Sequence, residues 1–367
     1  MKLFKKLKRE LNNIKMLSAY SFLDLAKQLY LFPIDYYLRR SCKSSPAKNI
    51  ALFVTLRCNA RCQMCNLIEL LNKEEQRDPS LTQIEQFIGS IAKNKPGIVL
   101  FGGEPFVRQD IFEIISLVKS HKLSCGIFTN GLLLNQEKID KIINLGLNYL
   151  VFSLQGIGKG HDKIVQIDGA FDRIVKNIQY SAIQKRKTKT IIHTTISEGN
   201  LDQLEEIINL SKKLKVDGLR FGHPTFFTPD EYNKNKIVCQ HLFPKEKIKG
   251  VSYIYNPIEK GNEFIKKIID LRRKYGDDIS FTPELDENEI KDWYSPTFKS
   301  KRKCYFIWRG AFVYPNGDVC PCESFYYPLG NIYQDDFNKI WNNQLYRNFR
   351  KILKKGLLPG CARCCKL

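Results

Sequence analysis

Short apolar runs alternate with segments of helical periodicity through the middle of the chain. Six runs are typical of buried strands: residues 50–56, 98–101, 124–128, 149–153, 191–196 and 218–221. Apolar positions recur at helical spacing in five segments between them: residues 81–92, 110–119, 136–145, 171–184 and 201–214. This alternation predicts a parallel α/β architecture, closed or partly closed, whose ligand groups gather at the carboxyl ends of the strands.

Residues 1–48 follow a different pattern. Apolar side chains again recur at helical spacing, with basic residues between them: Leu3, Phe4, Leu7, Leu11, Ile14 and Leu17. The segment holds eleven Lys or Arg and three Asp or Glu, which gives it a net charge of +8. A basic helix with one apolar face fits an anionic membrane surface, and it equally fits a solvated helix packed on the outside of the domain. Both interpretations stay open.

The overall composition narrows the cellular setting. The chain has 367 residues, a net charge of +21 and twelve cysteines. The charge indicates an anionic partner without choosing among lipid, nucleic acid and acidic substrate. The length, the lack of a signal peptide and the C-x2-C-type spacings favour reduced, metal-binding thiols over disulfides. No apolar run approaches the roughly 20 residues of a membrane span. We therefore expect a cytoplasmic protein, with peripheral membrane contact through residues 1–48 as the open alternative.

Three cysteines follow the first predicted strand. Cys58, Cys62 and Cys65 are spaced C-x3-C-x2-C. Three thiolates on a short loop can hold three irons of a [4Fe–4S] cube and leave the fourth iron open for chemistry. A structural zinc site would need a fourth ligand, and the nearest other cysteines, Cys42 and Cys125, are not at finger spacing.

This spacing resembles the signature of the radical S-adenosylmethionine (radical SAM) enzymes. The resemblance implies a partial (β/α)6 TIM-like barrel, in which the open iron binds the methionyl end of SAM. It also implies reductive cleavage of SAM to a 5′-deoxyadenosyl radical, which abstracts hydrogen from a substrate. After the second strand, Gly102-Gly103-Glu104-Pro105 matches the family's GGEP motif. By resemblance, Gly102, Gly103 and Glu104 hold the amino group of SAM.

Two further strand ends match the family's cofactor loops. Thr129 and Asn130 stand where relatives have a polar turn near the SAM ribose. Ser153 and Gln155 stand where relatives commonly have Ser-x-Asp-Gly, so that Gln155 keeps a hydrogen-bonding side chain but lacks the carboxylate. The resemblance therefore assigns all four residues to cofactor binding, with a neutral contact at Gln155.

The C-terminal region holds a second group of cysteines: Cys304, Cys320, Cys322, Cys361, Cys364 and Cys365. The turn at Pro315-Asn316-Gly317 predicts a hairpin. The region resembles the SPASM/Twitch extension of radical SAM enzymes. The economical ligand set for one auxiliary [4Fe–4S] cluster is Cys304, Cys322, Cys361 and Cys364. Whether Cys320 replaces Cys322, or Cys365 replaces Cys364, is not decidable from the sequence, and a four-cysteine zinc site is the alternative.

The predicted organisation has four parts. Residues 1–48 form the basic N-terminal segment, 49–225 the radical SAM core, 226–295 an insertion or linker of unclear role, and 296–367 the SPASM/Twitch-like auxiliary cluster domain. The insertion is rich in turns and basic residues, which fits either a lid over the substrate or a solvated loop.

The resulting expectation is a radical SAM enzyme supplied with electrons by a flavodoxin or ferredoxin. Its substrate is a peptide or a small molecule, and the reaction is either an oxidation or the formation of a new bond. An auxiliary cluster favours reactions that must dispose of an electron. A lipid-linked or sugar substrate at a membrane surface is the alternative. A non-catalytic zinc-binding or nucleic-acid-binding protein is a third hypothesis, and we expect no nucleic acid because no basic face carries stacking aromatic residues.

Overall fold

The computed structural model describes residues 31, 33–74, 77–184, 188–242, 260–295, 298–322 and 326–366. Residues 1–30, which carry the predicted amphipathic helix, lie outside the described residues. No helix in the described ranges is long and apolar enough to cross a membrane.

One nine-stranded sheet organises the described chain. Its strands are β1 (Asn49–Thr55), β2 (Gly97–Gly102), β3 (Ser124–Thr129), β4 (Tyr149–Ser153), β5 (Lys189–Thr195), β6 (Gly218–Gly222), β7 (Ser280–Thr282), β8 (Gly310–Val313) and β9 (Val319–Cys320). Their spatial order is β7-β6-β5-β4-β3-β2-β1-β8-β9, and every neighbouring pair is parallel except β8 and β9. The six predicted strands are all present, as a partial barrel requires, and the α/β prediction is confirmed.

Helices connect the parallel strands. They are α1 (Leu81–Ala92), α2 (Ile111–Ser120), α3 (Gln136–Asn144), α4 (Lys159–Val165), α5 (Ala170–Ile183), α6 (Leu204–Lys213), α7 (Pro229–Leu242), α8 (Gly261–Tyr275), α9 (Glu287–Trp293), α10 (Phe337–Trp341) and α11 (Gln344–Lys355). Local caps fix several starts. Ser80 and Gln83 form a capping box at α1, because each side chain accepts a hydrogen bond from the other's backbone N–H.

The two faces of the sheet differ in burial. Side chains such as Leu52, Leu100 and Ile127 point toward the helices and belong to the main core. The opposite, inner face is partly open, because several of its side chains are only half-buried: Phe101, Phe128, Ser153, His193 and Arg220. The sheet therefore encloses a partly solvated interior, which is where a barrel binds its ligands.

The C-terminal region is part of the same sheet. β8 pairs in parallel with β1, with Leu52 opposite Val313. β9 turns back on β8 through the predicted turn, where Gly317 has φ +87° and its N–H donates to the carbonyl oxygen of Tyr314 at 2.9 Å. The hairpin is confirmed, and its attachment to the first barrel strand is an addition that the sequence did not indicate.

The stretch 226–295 also reaches the sheet. It carries α7, α8 and α9 in its described part, and β7 pairs in parallel with β6. This strand of three residues was too short to stand out as an apolar run. The fragment that follows residue 225 therefore supplies one edge of the barrel, while β9 lies at the other edge.

Candidate active site

The loop that follows β1 brings the three cysteines of the first motif together. Cys58 is fixed at its start, because its backbone N–H donates to Asn72 Oδ1 at 2.9 Å and its carbonyl accepts from Asn72 Nδ2 at 3.1 Å. Cys65 donates its backbone N–H to the carbonyl of Cys62 at 3.1 Å. Leu67 and Leu71 anchor the far side of the loop in a small apolar cluster with Phe53. All three cysteine side chains are half-buried.

The electrostatics of these thiols fit an iron–sulfur cluster. Burial raises the pKa of Cys58 to about 11, with smaller contributions from Glu104 and Cys65. Burial also raises the pKa of Cys62 to about 12, and the neighbouring Cys65 and Cys58 add to it. The thiolates therefore repel one another unless a cationic group lies among them.

The donor set is one that an iron–sulfur cluster uses, since three cysteine thiols lie on one short loop. Within the described ranges, no three His, Cys, Asp or Glu side chains are grouped closely enough to hold one metal ion. A [4Fe–4S] cube binds each cysteine through a different iron, so its ligands stand farther apart than the ligands of one ion. The residues present fit the cube that the resemblance implies.

Two glycines let the end of β2 pass directly beside the cysteine loop. A Cβ atom on Gly102, whose φ is +142°, would overlap the carbonyl oxygen of Thr55, and one on Gly103 would overlap that of Arg57. Without side chains, Gly103 donates its N–H to Thr55 at 3.0 Å and Glu104 donates to Arg57 at 2.9 Å. The glycines therefore serve close backbone approach between the two loops.

Glu104 connects the second and third strand ends. Its side chain is buried, and its Oε1 accepts from Thr129 Oγ1 at 2.8 Å and from the Phe106 N–H at 3.1 Å. Its Oε2 accepts from the Asn130 N–H at 2.7 Å. Burial raises the pKa of Glu104 to about 7, against the lowering effect of these hydrogen bonds. Asn130 in turn donates to Asn59 Oδ1 at 2.8 Å, one residue after Cys58.

Ser153 and Gln155 have different surroundings. Ser153 is half-buried on the inner face and pairs in register with His193 of β5. Gln155 is buried, and its Oε1 accepts from the Thr195 N–H at 2.9 Å, while its own N–H donates to His161 Nδ1 at 3.0 Å. Burial lowers the pKa of His161 to about 4, so the ring is neutral at pH 7. Gln155 therefore joins β4 to β5, with its side-chain oxygen already bonded to the protein.

The second cysteine group surrounds one small cavity. Four cysteines line it: Cys304, Cys322, Cys361 and Cys364. Cys320 is fully buried on the other side of β9, in the apolar cluster with Phe53 and Tyr314. Cys365 does not line the cavity; its carbonyl accepts from Thr282 Oγ1 at 3.4 Å.

The thiols around this cavity influence one another. Burial raises the pKa of Cys361 well above its ordinary value, with additional contributions from Cys304 and Cys364. A hydrogen bond with Cys322, together with burial, raises the pKa of Cys364. Four cysteines around one apolar cavity, two of them buried and two half-buried, are a donor set that fits a fully ligated iron–sulfur cluster.

Buried ionic contacts hold the C-terminal cysteines in place. Arg363, between Cys361 and Cys364, donates to both carboxylate oxygens of Glu231 on α7 at 2.6 Å. Its Nε donates to the carbonyl of Trp293 at 2.8 Å. Arg363 is fully buried, so these bonds fix the backbone on both sides of it.

Three basic residues of the inner site were not identified from the sequence. They are His193 on β5, Arg220 on β6 and Lys366 near the C-terminus. His193 and Arg220 are partners in register. In β5 and in β6, the sequence signal that could have identified them is a polar residue within an otherwise apolar strand.

Two family models match the chain. Residues 52–211 match the model of the Radical SAM superfamily, and residues 304–365 match that of an iron–sulfur cluster-binding domain. The chain is 24% identical over 321 residues to Fe-coproporphyrin III synthase of Methanosarcina barkeri, covering 85% of this chain and 79% of the relative. It is 26% identical over 327 residues to AdoMet-dependent heme synthase of the same organism, covering 86% and 87%.

Solved structures share the fold. The crystal structure of Streptococcus suis SuiB bound to precursor peptide SuiA superposes with a TM-score of 0.63 at 15% identity, covering 91% of this chain and 73% of SuiB. At this identity the likeness concerns the fold alone.

Proposed function

Because this chain belongs to the radical SAM superfamily and carries an iron–sulfur cluster-binding domain, we propose that it oxidises its substrate by two electrons inside the barrel. One observation carries this proposal. The apolar cluster around Phe53 packs against Cys58 and Cys65 on one side and against Phe306 on the other, and Phe306 lines the auxiliary cavity. The two cysteine sets thus flank the same interior.

We assign the cofactor contacts residue by residue. Cys58, Cys62 and Cys65 hold the catalytic [4Fe–4S] cluster, and the auxiliary [4Fe–4S] cluster binds Cys304, Cys322, Cys361 and Cys364. SAM lies against the strand ends that carry Gly102, Gly103, Glu104, Thr129, Asn130, Ser153 and Gln155. When bound, the catalytic cluster would supply the electron for the reductive cleavage of SAM to methionine and a 5′-deoxyadenosyl radical, the species that takes a hydrogen atom from the substrate.

The chain's own residues then position and shield the reaction. Glu104 holds the ends of β2 and β3 together, and its carboxylate faces the amino group of SAM in this assignment. When a substrate fills the half-open interior, its contacts with Phe101 and Phe128 would limit the access of water to the substrate radical. A closed-shell product forms from the substrate radical by loss of one proton and one electron, and a cluster held by Cys304, Cys322, Cys361 and Cys364 would supply the electron acceptor. A flavodoxin-type or ferredoxin-type protein donates the electron that starts the reaction. The same kind of protein accepts the electron that the substrate has lost.

The substrate class is a peptide or a small organic molecule. Fe-coproporphyrin III synthase and heme synthase are named for small molecules, and SuiB is bound to a peptide in its crystal structure. A half-open barrel interior accommodates either kind of ligand. We place the enzyme in a reducing, cytoplasmic setting, since all twelve cysteines are free thiols.

Membrane contact is a second proposal with its own observation. Tyr37 and Leu38 are exposed, at 61% and 71%. The Lys303 Nζ lies 5.8 Å from the ring centroid of Tyr37, and the Lys354 Nζ lies 5.4 Å from that of the neighbouring, buried Tyr36. Exposed aromatic and apolar residues beside lysines suit an anionic lipid surface. Full-length protein should co-float with vesicles containing phosphatidylglycerol and not with pure phosphatidylcholine vesicles. Equal flotation of Leu38→Glu and wild type would refute a role for this patch.

The proposed function is tested by metal analysis and SAM turnover. Protein reconstituted without oxygen should contain about eight irons per chain, falling to about four in the Cys58→Ala/Cys62→Ala/Cys65→Ala variant. With dithionite, wild type should convert SAM to 5′-deoxyadenosine, and the triple variant should not. Zinc without iron in the C-terminal domain, or SAM cleavage by the triple variant, would overturn the assignment.

A further inference from the structure

A row of aromatic rings crosses the inner face of the sheet. The ring centroids of Phe53 and Phe101 are 5.2 Å apart, those of Phe101 and Phe128 are 5.3 Å apart, and those of Phe128 and His193 are 5.9 Å apart. All three contacts are edge-to-face. The row begins beside the cysteine loop and ends at β5, and Phe101 and Phe128 are half-buried, so a ligand can reach them.

Basic groups stand at the far end of this row. Arg220 lies beside His193 on the next strand. The Arg220 Nε and the His193 Nδ1 are both buried, and neither has a hydrogen-bond partner in the part of the chain that the structure describes. Arg220 also forms no ion pair with any described carboxylate; the charges that act on it belong to Cys365 and Tyr149. A buried guanidinium nitrogen without a hydrogen-bond partner is costly, and an anionic ligand removes that cost.

The C-terminal tail adds a third basic group. The Lys366 Nζ lies 5.7 Å from the ring centroid of Phe306 and 5.8 Å from that of Phe312 on β8. Lys366 also acts electrostatically on His193. Burial is the main cause that lowers the pKa of His193 to about 3, and the charges of Arg220 and Lys366 lower it further. Since the Cys365 carbonyl accepts from Thr282 on β7, the tail spans the gap between the two sides of the open barrel.

We infer that Arg220, His193 and Lys366 bind a carboxylate of the substrate, whose apolar body lies along Phe101 and Phe128. The neutral His193 ring donates a hydrogen bond, and Arg220 and Lys366 supply the charge. The inference rests on the proposed function and narrows its substrate class to organic acids with an apolar part. A small-molecule acid and an acidic peptide side chain share this chemistry.

Binding of matched probes to reconstituted holoenzyme tests the inference. We would measure the Kd of 1-pyrenebutyrate and of 1-pyrenebutanol by fluorescence, with saturating SAM present. Acetyl-Phe-Glu-Phe-amide and acetyl-Phe-Gln-Phe-amide form the matched peptide pair. The binding of each peptide is measured by its displacement of the pyrene probe. The variants are Arg220→Gln, Arg220→Lys and, as a control outside the barrel, Arg273→Gln, which is exposed and paired with Glu287.

Wild type should bind at least one acid about tenfold or more tightly than its neutral partner, which corresponds to one charge-assisted contact. Arg220→Gln should abolish that preference, Arg220→Lys should retain part of it, and Arg273→Gln should leave it unchanged. The acid with the lower Kd indicates whether the substrate carboxylate belongs to a small molecule or to a peptide.

Three results would overturn the inference. They are no preference for either acid in wild type, an Arg220→Gln variant that keeps the preference, and an Arg220→Gln variant whose affinity for SAM falls while acid binding persists. SAM cleavage by the same wild-type sample, measured in parallel, separates these outcomes from failure of the proposed function.

Discussion

Arg363 and Glu231 form a buried two-point ion pair across 132 residues of sequence, with both N–O distances at 2.6 Å. The pair joins the segment between Cys361 and Cys364 to α7. Because the Arg363 side chain is fully inaccessible and that of Glu231 nearly so, loss of one partner leaves the other charge buried without compensation.

We therefore expect Arg363→Met to lower the free energy of unfolding by about 3–5 kcal/mol. Its iron content should fall from about eight toward about four per chain, since the auxiliary cysteines lose their fixed backbone. Arg273→Met removes an exposed pair with Glu287 and should leave the free energy of unfolding almost unchanged, because solvent screens exposed ion pairs. Denaturant unfolding and iron analysis measure both effects, and equal losses in the two variants would contradict this account.

Neighbouring cysteines should differ in their importance for the auxiliary cluster. Cys322→Ala and Cys364→Ala each remove a side chain that lines the cavity, so each should lose the auxiliary EPR signal. Cys320→Ala and Cys365→Ala should retain it, because neither residue lines the cavity. Cys320→Ala should still cost about 1–2 kcal/mol of stability through its packing with the aromatic cluster. Loss of the signal in Cys320→Ala alone would assign the ligand to that residue.

Gly103→Ala should disrupt the catalytic loop. The added Cβ would overlap the Arg57 carbonyl and approach Cys58 Cβ to 3.0 Å, so the cysteine loop must move. We expect SAM cleavage to fall by about 100-fold or more, as misplacement by about 1 Å does in other active sites. Gly89→Ala is the matched control: its Cβ meets nothing within 4 Å, and alanine favours its helix by about 0.5–1 kcal/mol. Near-normal turnover by Gly103→Ala would refute the close-approach argument.

His161 should make stability depend on pH. Burial lowers the pKa of His161 in the folded protein to about 4, whereas an unfolded histidine titrates near 6.5. Between these values the unfolded chain binds more protons, so the free energy of unfolding falls as the pH is lowered. From pH 7.5 to 5.5 this residue should contribute a loss of about 1 kcal/mol. Denaturant unfolding of wild type and His161→Gln at both pH values should show a smaller loss in the variant; parallel pH profiles would exclude His161.

The sequence predicted the parts of the fold that depend on local pattern. Apolar runs identified β1 to β6, and the turn at Pro315-Asn316-Gly317 identified the β8–β9 hairpin. The pairing of β8 with β1 was not predictable, because parallel pairing leaves no local signal. β7 was missed because its three residues are too few to form a recognisable run.

The residues of the candidate site were also predictable only in part from the sequence. Motif spacing pointed to Cys58, Cys62 and Cys65, and the structure places them on one loop beside Gly103. The roles of Cys320 and Cys365 could not be separated from those of Cys322 and Cys364, since the cysteine spacing fits either member of each pair and only the folded backbone shows which one lines the cavity. Arg220 and His193 meet only through strand register, which a single sequence does not contain.

The pairing of β1 with β8 also concerns the order in which the chain is made. β1 ends at Thr55 and β8 begins at Gly310, so 255 residues are added before β1 receives its second neighbour. At roughly 5–20 residues per second, that edge stays without its partner on the ribosome for about 10–50 s. The cysteine loop beside this edge leaves the ribosome long before the C-terminal cysteines do. The timing of synthesis thus allows iron delivery to the first site before the second exists.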